Sequence, residues 1–278
     1  MNREASGQEL RFLKEHQAYL ERIEAGLYDL MRKYESHPLY QPMMYSLEGG
    51  KRLRPLVVML VNEALGPSGE DPLPVSSAVE LLHTVSLIHD DIIDREASRR
   101  DRQPYYRQFG VDSALLSADF VLGIILDVAS RYEDRAVGAE LAKAAVEMSA
   151  GEEDERKLVR NPNGVTWTKY IGVLEQKTAS LFRASAVIGA LLSRKKELSH
   201  RLSDFGFKLG MAYQLRDDLA DINKPNELIS LLKSKDQSAV QRVTEAADVY
   251  SSKSLDVLRD LPESPALFKL EKLVAKYF

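Results

Sequence analysis

Apolar residues recur at helical spacing through almost the whole chain. Between residues 8 and 33, Leu13, Leu20, Ile23, Leu27 and Leu30 stand among Glu, Lys and Arg, the pattern of a charged amphipathic helix. Pro42 and the Gly49-Gly50 pair punctuate that pattern, and Pro55 falls in the first turn of the next apolar segment, 53–65. A loop with several prolines and glycines runs from Gly66 to Pro74. Residues 75–95 then form a long, nearly continuous apolar helix, and 112–131, 134–150, 166–192 and 198–222 each repeat Leu, Ile, Val, Ala and Phe with the same period. The segment 151–164 is polar and breaks the pattern at Pro162, and shorter, more polar helices are expected at 226–234, 237–257 and 265–277. No stretch alternates with period two between turn pairs, so strands are not expected. Without a composition shift, linker or fixed repeat, residues 1–278 read as one all-helical domain. Long core helices, apolar on more than one face, suit a bundle built around a central cavity.

Two clusters of aspartate interrupt these apolar runs: Asp90-Asp91-Ile92-Ile93-Asp94 and Asp217-Asp218-Leu219-Ala220-Asp221. Residues three or four apart are neighbours on a helix, so Asp90 and Asp94 share a face, as do Asp217 and Asp221. Either cluster alone could be a solvated helix end. Two copies, flanked by Leu87, Ile88, Ile92 and Ile93 and by Leu215, Leu219 and Ile222, ask for a counter-charge. A hard divalent cation with oxygen ligands supplies one if the clusters face each other. Mg²⁺ suits them best, since it is commonly held by one or two carboxylates together with substrate phosphates.

Cations suited to such phosphates are also present. In Gly49-Gly50-Lys51-Arg52-Leu53-Arg54-Pro55, three cations crowd a helix start, where they are unfavourable unless an anion is bound. Lys51 and Arg54 are expected on one face of that helix. Arg99-Arg100 follows the first cluster, either as a second phosphate clamp or as a salt bridge to Asp94 or Glu96. His83 lies two turns before Asp90 and His89 beside it, and an isolated helix histidine is more often structural. Lys177-Thr178 sits in an apolar run where a lysine needs an anion or a route to solvent, and Gln214 stands one turn before Asp218. Asp119, inside another apolar run, reads as a structural charge paired with a neighbouring arginine.

Composition removes several alternatives. Cysteine is absent, so disulfides and thiolate chemistry are excluded. A formal charge of −4 argues against a general nucleic-acid surface. The first twelve residues lack the apolar run of a signal peptide, and no stretch approaches the roughly 20 apolar residues of a membrane span. The expectation is a cytoplasmic protein with no nucleic-acid partner, meeting membranes only peripherally. There is no P-loop spacing and no serine or histidine nucleophile arrangement. What remains is chemistry in which metal ions draw off a diphosphate leaving group above an apolar pocket that shields a carbocation.

Four motifs in order, GGKRLRP at 49–55, LLHTVSLIHDDIID at 81–94 with RR at 99–100, KTASLF at 177–182 and YQLRDDLAD at 213–221, resemble the trans-isoprenyl diphosphate synthases, or polyprenyl synthetases. The resemblance spans roughly 45–225 and is nearest to geranylgeranyl or longer-chain synthases. It implies an isoprenoid-synthase-like bundle of long antiparallel helices around a deep central cavity, normally a homodimer, using several Mg²⁺ ions per site. The implied reaction joins isopentenyl diphosphate head to tail to an allylic prenyl diphosphate. Carried over by motif, Asp90, Asp91 and Asp94 bind metal on the allylic diphosphate, as do Asp217, Asp218 and Asp221. Arg99 and Lys177 touch that diphosphate, with Lys224 as a further contact. Lys51, Arg54, His83 and Arg100 hold isopentenyl diphosphate, while Thr178 and Gln214 offer oxygen dipoles to the developing cation. Val85 and Ser86 form the upper floor of the product channel, with Leu81, Leu82, Ala78 and Phe120 beyond. Neither of the first two is aromatic, which implies an all-trans product of about 20 carbons or longer, because only a bulky side chain there would overfill the channel.

The chain also departs from that pattern. Asp101 and Pro104-Tyr105-Tyr106-Arg107 replace a usual glycine and a Pro-Thr-x-His segment, and Glu152 follows Gly151 where glutamine is common. After Asp221 the usual Gly-Lys loop gives way to Ile222-Asn223-Lys224-Pro225-Asn226-Glu227. A weakened homologue that binds diphosphate or regulates a partner, and a terpene cyclase or a prenyltransferase with another acceptor, are the alternatives.

Overall fold

The computed structural model describes residues 7–66, 69–224 and 227–277, with no side-chain detail before His16 or at Tyr277. Among these residues there is no strand; the only ladder contact is an isolated bridge between Arg99 and Arg102. The all-helical expectation holds. The chain divides into two compact units, one comprising the residues through Met59 with Asp71–Glu133, the other Leu60–Glu70 with Asp134–Phe278.

The first unit contains α1 (Gly7–Arg32), α2 (Tyr40–Leu47), the start of α3 (Leu53–Leu65), α4 (Leu73–Ile93), α5 (Tyr105–Phe109) and α6 (Val111–Ala129). Helix α4 is long because no breaker intervenes after Pro74 in its first turn, a position where the missing N–H costs nothing. Its fully buried Ser76 and Ser77 donate to the carbonyls of Pro72 and Leu73, so the first turns enter the core without orphaned hydroxyls. Helices α1 and α6 pack against α4.

One residue of the basic motif is structural. Arg52, at φ 53°, lies wholly inside this unit, with Nη1 donating to Glu80 at 2.6 Å, Nε to Glu24 at 2.7 Å and Nη2 to the Leu47 carbonyl. It ties α1, the end of α2 and α4 together. Lys51, expected to share a helix face with Arg54, instead precedes α3 and is exposed.

The second unit contains α7 (Ala136–Arg160), α8 (Trp167–Leu174), α9 (Ser180–Leu192), α10 (Ser199–Asp221), α11 (Leu228–Lys233), α12 (Ala239–Leu258) and α13 (Pro265–Tyr277). Every residue of α9 except Arg183 is buried, which makes it the centre of the unit. Helix α10 approaches it closely because Gly206 and Gly210 have no side chain. A Cβ there would lie 2.5 Å from the Phe182 carbonyl oxygen or 2.6 Å from Ala179 Cα.

Three expectations are corrected. Residues 166–192 are not one helix: a π-helical turn, Glu175–Ala179, separates α8 from α9. The polar segment after Gly151 is not a break, since α7 continues to Arg160 with i, i+3 pairs such as Glu153–Arg156 on its outer face before Pro162 stops it. The short α5 was not expected; its five residues lie beyond the reach of periodicity. Pro225 and Asn226, within the altered segment after Asp221, lie outside the described residues.

Arg52→Ala should destabilise the protein by about 3–5 kcal/mol, because it leaves the carboxylate of Glu80 buried and unpaired. Replacing Arg52 and Glu80 together by methionine should recover most of that loss. Urea denaturation decides it; a small effect for the single variant would remove Arg52 from the framework.

Candidate active site

In the first unit, α4 delivers its aspartates at the point where the helix ends. Asp90 and Asp91 occupy the last turn, and Asp94 is the C-cap, its N–H bonded to the Asp90 carbonyl. Asp91 is turned inward and buried, and its Oδ1 receives Arg99 Nε at 2.7 Å and Nη2 at 2.5 Å. Burial pushes the Asp91 carboxyl above its ordinary range, and Arg99 works against that rise. The sequence suggested Asp94 or Glu96 as the partner of Arg99; the loop brings it to Asp91 instead. Asp90 is half-buried and Asp94 exposed.

The loop carrying Arg99 is tightly folded. Arg95, Arg100 and Asp101 all have positive φ, 56°, 54° and 60°. Arg100 donates to the Glu48 carbonyl at 2.6 Å and to that of Ser46 at 3.4 Å, fastening the loop to the end of α2. Arg102 pairs with Glu48 and lies 3.7 Å from the centre of the Tyr45 ring. Asp91, Arg99, Arg100, Thr84, Leu87 and Ile88 line one cleft.

Arg54 is buried and its Nη1 lies 3.2 Å from His83 Nε2. Burial and the surrounding arginines, Arg54 first among them, lower the His83 pKa well below its ordinary value. His83 is therefore neutral near pH 7, with Nε2 accepting from Arg54. Val85, Leu81 and Ala78 are buried, Leu82 is half-buried, and Ser86 donates to the His83 carbonyl at 2.8 Å. Phe120 stacks on His37 at 4.3 Å and meets Tyr34 edge-on. Asp119, expected as a structural charge beside an arginine, is exposed.

In the second unit a chain of hydrogen bonds joins three elements. Thr178 Oγ1 donates to Gln214 Oε1 at 2.8 Å, Gln214 Nε2 donates to Asp218 Oδ1 at 2.7 Å, and Tyr170 OH donates to Asp218 Oδ2 at 2.5 Å. Both Asp218 oxygens are thus engaged within the protein. Burial pushes its carboxyl up to about 7 despite those donors, and burial also raises Tyr170. Lys177 meets two carboxylates of α7, Glu152 at 2.5 Å and Glu155 at 2.6 Å. Asp217 is exposed, while Asp221 is half-buried and pairs with Lys224 at 2.8 Å.

Sequence reasoning missed Tyr170 and Glu155. A tyrosine inside an otherwise apolar run is a signal, because a buried hydroxyl needs a partner. For Glu155 no signal existed, because its segment was read as a break rather than as helix.

The donor chemistry fits magnesium. Every candidate ligand is a carboxylate oxygen, and among the described residues no three Asp, Glu or His side chains converge into a closed cage. Mg²⁺ does not need such a cage, since it keeps waters and shares phosphate oxygens of the substrate. No described helix is long and apolar enough to cross a membrane.

The fold has close counterparts among solved enzymes. It matches a geranylgeranyl pyrophosphate synthetase from Pyrococcus horikoshii with a TM-score of 0.82 and 26% identity, over 96% of this chain and 98% of that one. The Polyprenyl synthetase family model matches residues 36–236. The chain belongs to that family. It is 32% identical to a geranylgeranyl diphosphate synthase of Methanosarcina mazei over 221 residues, covering 77% of this chain and 68% of the relative. It is 34% identical to a farnesyl diphosphate synthase of Bacillus subtilis over 204 residues, 69% of each chain. These names differ in product length.

The state of Asp218 sets a pH dependence. Its folded carboxyl titrates at about 7 against an ordinary 3.8, so the fold favours the protonated form. That stability is fully present below the ordinary value and is lost as pH rises through about 7. Metal-free protein in chelator should therefore become easier to denature between pH 4 and 7, and Asp218→Asn should flatten that trend. Equal slopes for parent and variant would contradict the assignment.

Proposed function

We propose that this protein is a Mg²⁺-dependent prenyl diphosphate synthase, condensing isopentenyl diphosphate head to tail with an allylic prenyl diphosphate. The observation that carries the reading is the first unit's combination of an intact aspartate triplet ending α4 with Arg54, Arg99 and Arg100 in the same unit.

Asp90, Asp91 and Asp94, with Asp217, Asp218 and Asp221, would hold Mg²⁺ on the allylic diphosphate. When bound, the metal supplies positive charge that stabilises the departing diphosphate. Arg99 and Lys177 would bind the same diphosphate. Arg54, oriented by neutral His83, would hold isopentenyl diphosphate together with Lys51 and Arg100. Thr178 and Gln214 would present oxygens towards the allylic cation, and Gln214 is fixed for this by Asp218. The double bond of isopentenyl diphosphate forms the new carbon–carbon bond, and the released diphosphate takes the proton, so no protein base is required. Val85 and Ser86 would flank the growing chain, supporting a product of about 20 carbons or longer, since neither side chain is bulky enough to overfill the channel.

A second reading, a weakened homologue, is favoured by one observation. Lys224, the only lysine in the altered segment after Asp221, is paired with Asp221. Incubation with labelled isopentenyl diphosphate, a range of allylic primers and Mg²⁺ separates the two. Elongated product is expected, and folded protein that binds diphosphate without turnover would favour the second reading. Asp90→Ala should lower kcat far more than Asp221→Ala, because it removes stabilisation made mainly in the transition state. Val85→Phe should shorten the products seen by chromatography; an unchanged distribution would remove Val85 from the channel wall.

A homodimer is part of the same reading. Helix α6 exposes Leu115, Leu122 and Leu126 on one face, each more than half accessible, with Val111 and Leu116 beside them. Such an apolar stripe, interrupted by exposed Asp119, supports self-association. Leu122→Glu should convert a dimer to a monomer by light scattering. A parent protein that is already monomeric would dismiss the surface.

A further inference from the structure

We propose that Glu152 is a built-in competitor for the diphosphate at Lys177, a carboxylate that the incoming anion must displace from the lysine's ammonium group. The inference rests on the prenyl-transfer reading for the role of Lys177 and names a residue that sets the affinity of that position.

The geometry starts from Gly151. Helix α7 touches the π-helical turn there so closely that a Cβ on Gly151 would lie 2.5 Å from the backbone nitrogen of Lys177. A π turn carries an extra residue and projects its side chains differently from the regular helix around it. The contact fixes the register between the two elements. Glu152 comes next in the chain and Glu155 lies three residues further on the same face, so both meet Lys177. Their oxygens lie 2.5 and 2.6 Å from Nζ. One turn earlier on α7, Glu147 pairs with Arg183 of α9, continuing the same seam.

Charge decides the consequence. One carboxylate neutralises Lys177, whereas two leave the trio with a net charge of −1. These side chains keep only 26% (Lys177), 15% (Glu152) and 21% (Glu155) of their exposure, so solvent screens them weakly. A diphosphate approaching Lys177 therefore meets an anionic group rather than a cation. Glu155 alone would hold the lysine in place with no net charge. Glu152 supplies the excess. Glutamine would retain the packing and a dipole and release the lysine's charge.

The test uses the full-length protein with inorganic pyrophosphate and Mg²⁺ in a calorimeter, where no turnover is needed. Glu152→Gln should bind pyrophosphate about three- to ten-fold more tightly than the parent, as expected from relieving a partly buried charge contact. The gain should vanish in a Lys177→Ala background, and the KM for the allylic diphosphate should fall in parallel. Unchanged affinity, weaker binding, or a gain that survives Lys177→Ala would each overturn the proposal. Weaker binding would make Glu152 a support for the bound metal and anion instead. A Lys177-dependent gain in a protein that never elongates a primer would uphold the competitor and defeat the prenyl-transfer reading. Elongation with identical pyrophosphate affinities would do the reverse.

Discussion

Several charged side chains enter this protein's helical interior in compensated sets, and those sets include residues of the candidate site. An ionised group stripped of water is costly unless it is paired and hydrogen-bonded. Arg52 meets Glu80 and Glu24, Asp91 meets Arg99, and Lys177 meets Glu152 and Glu155. The first set is framework: its members are saturated, and they define where α3 begins relative to α1 and α4. The others lie at the ends and turns of helices. The same kind of contact thus serves the framework at depth and the candidate site nearer the surface.

The loop after α4 shows the cost of that placement. Positive φ at three non-glycine residues within seven positions is unfavourable for side chains with a Cβ. Asp101 tolerates the left-handed region better than most, which gives the departure from glycine at this position a local rationale. The conformation persists because Arg99 is drawn to Asp91 while Arg100 and Arg102 grip the end of α2. Three arginines, Arg99 on Asp91 and Arg100 and Arg102 on Glu48, hold a backbone that the local sequence alone would not choose.

Much of this was legible beforehand. The apolar period located α1, α3, α4, α6, α10, α12 and α13 to within a few residues, because long periodic runs override ambiguous ends. The aspartate and arginine motifs marked candidate positions because charges inside apolar runs need a physical reason. What escaped was of two kinds. The π turn at Glu175–Ala179 leaves no trace in hydrophobic period, and the continuation of α7 beyond Gly151 was masked by a polar face sustained by local ion pairs. Partner choice escaped as well. That Arg99 would meet Asp91 rather than Asp94 depends on a turn whose dihedral angles no residue in it announces.

The doubled aspartates acquire a physical reading from the same geometry. Adjacent residues on a helix point about 100° apart, so the two members of a pair cannot share an environment. In the first pair Asp91 is buried and held by Arg99, while Asp90 is more open and shares its face with exposed Asp94. In the second pair Asp218 is held at both oxygens by Tyr170 and Gln214, while Asp217 is exposed and shares its face with Asp221. Each motif therefore contains one carboxylate hydrogen-bonded deep in the protein and two that lie nearer the surface. Magnesium is commonly held by one or two carboxylates together with substrate phosphates, and carboxylates near the surface suit that role. The more deeply placed member has a structural use as well: Asp91 holds the loop after α4 through Arg99, and Asp218 fixes the amide of Gln214. A sequence with single aspartates could present ligands, but its helix ends would lack the anchor that keeps those ligands in register.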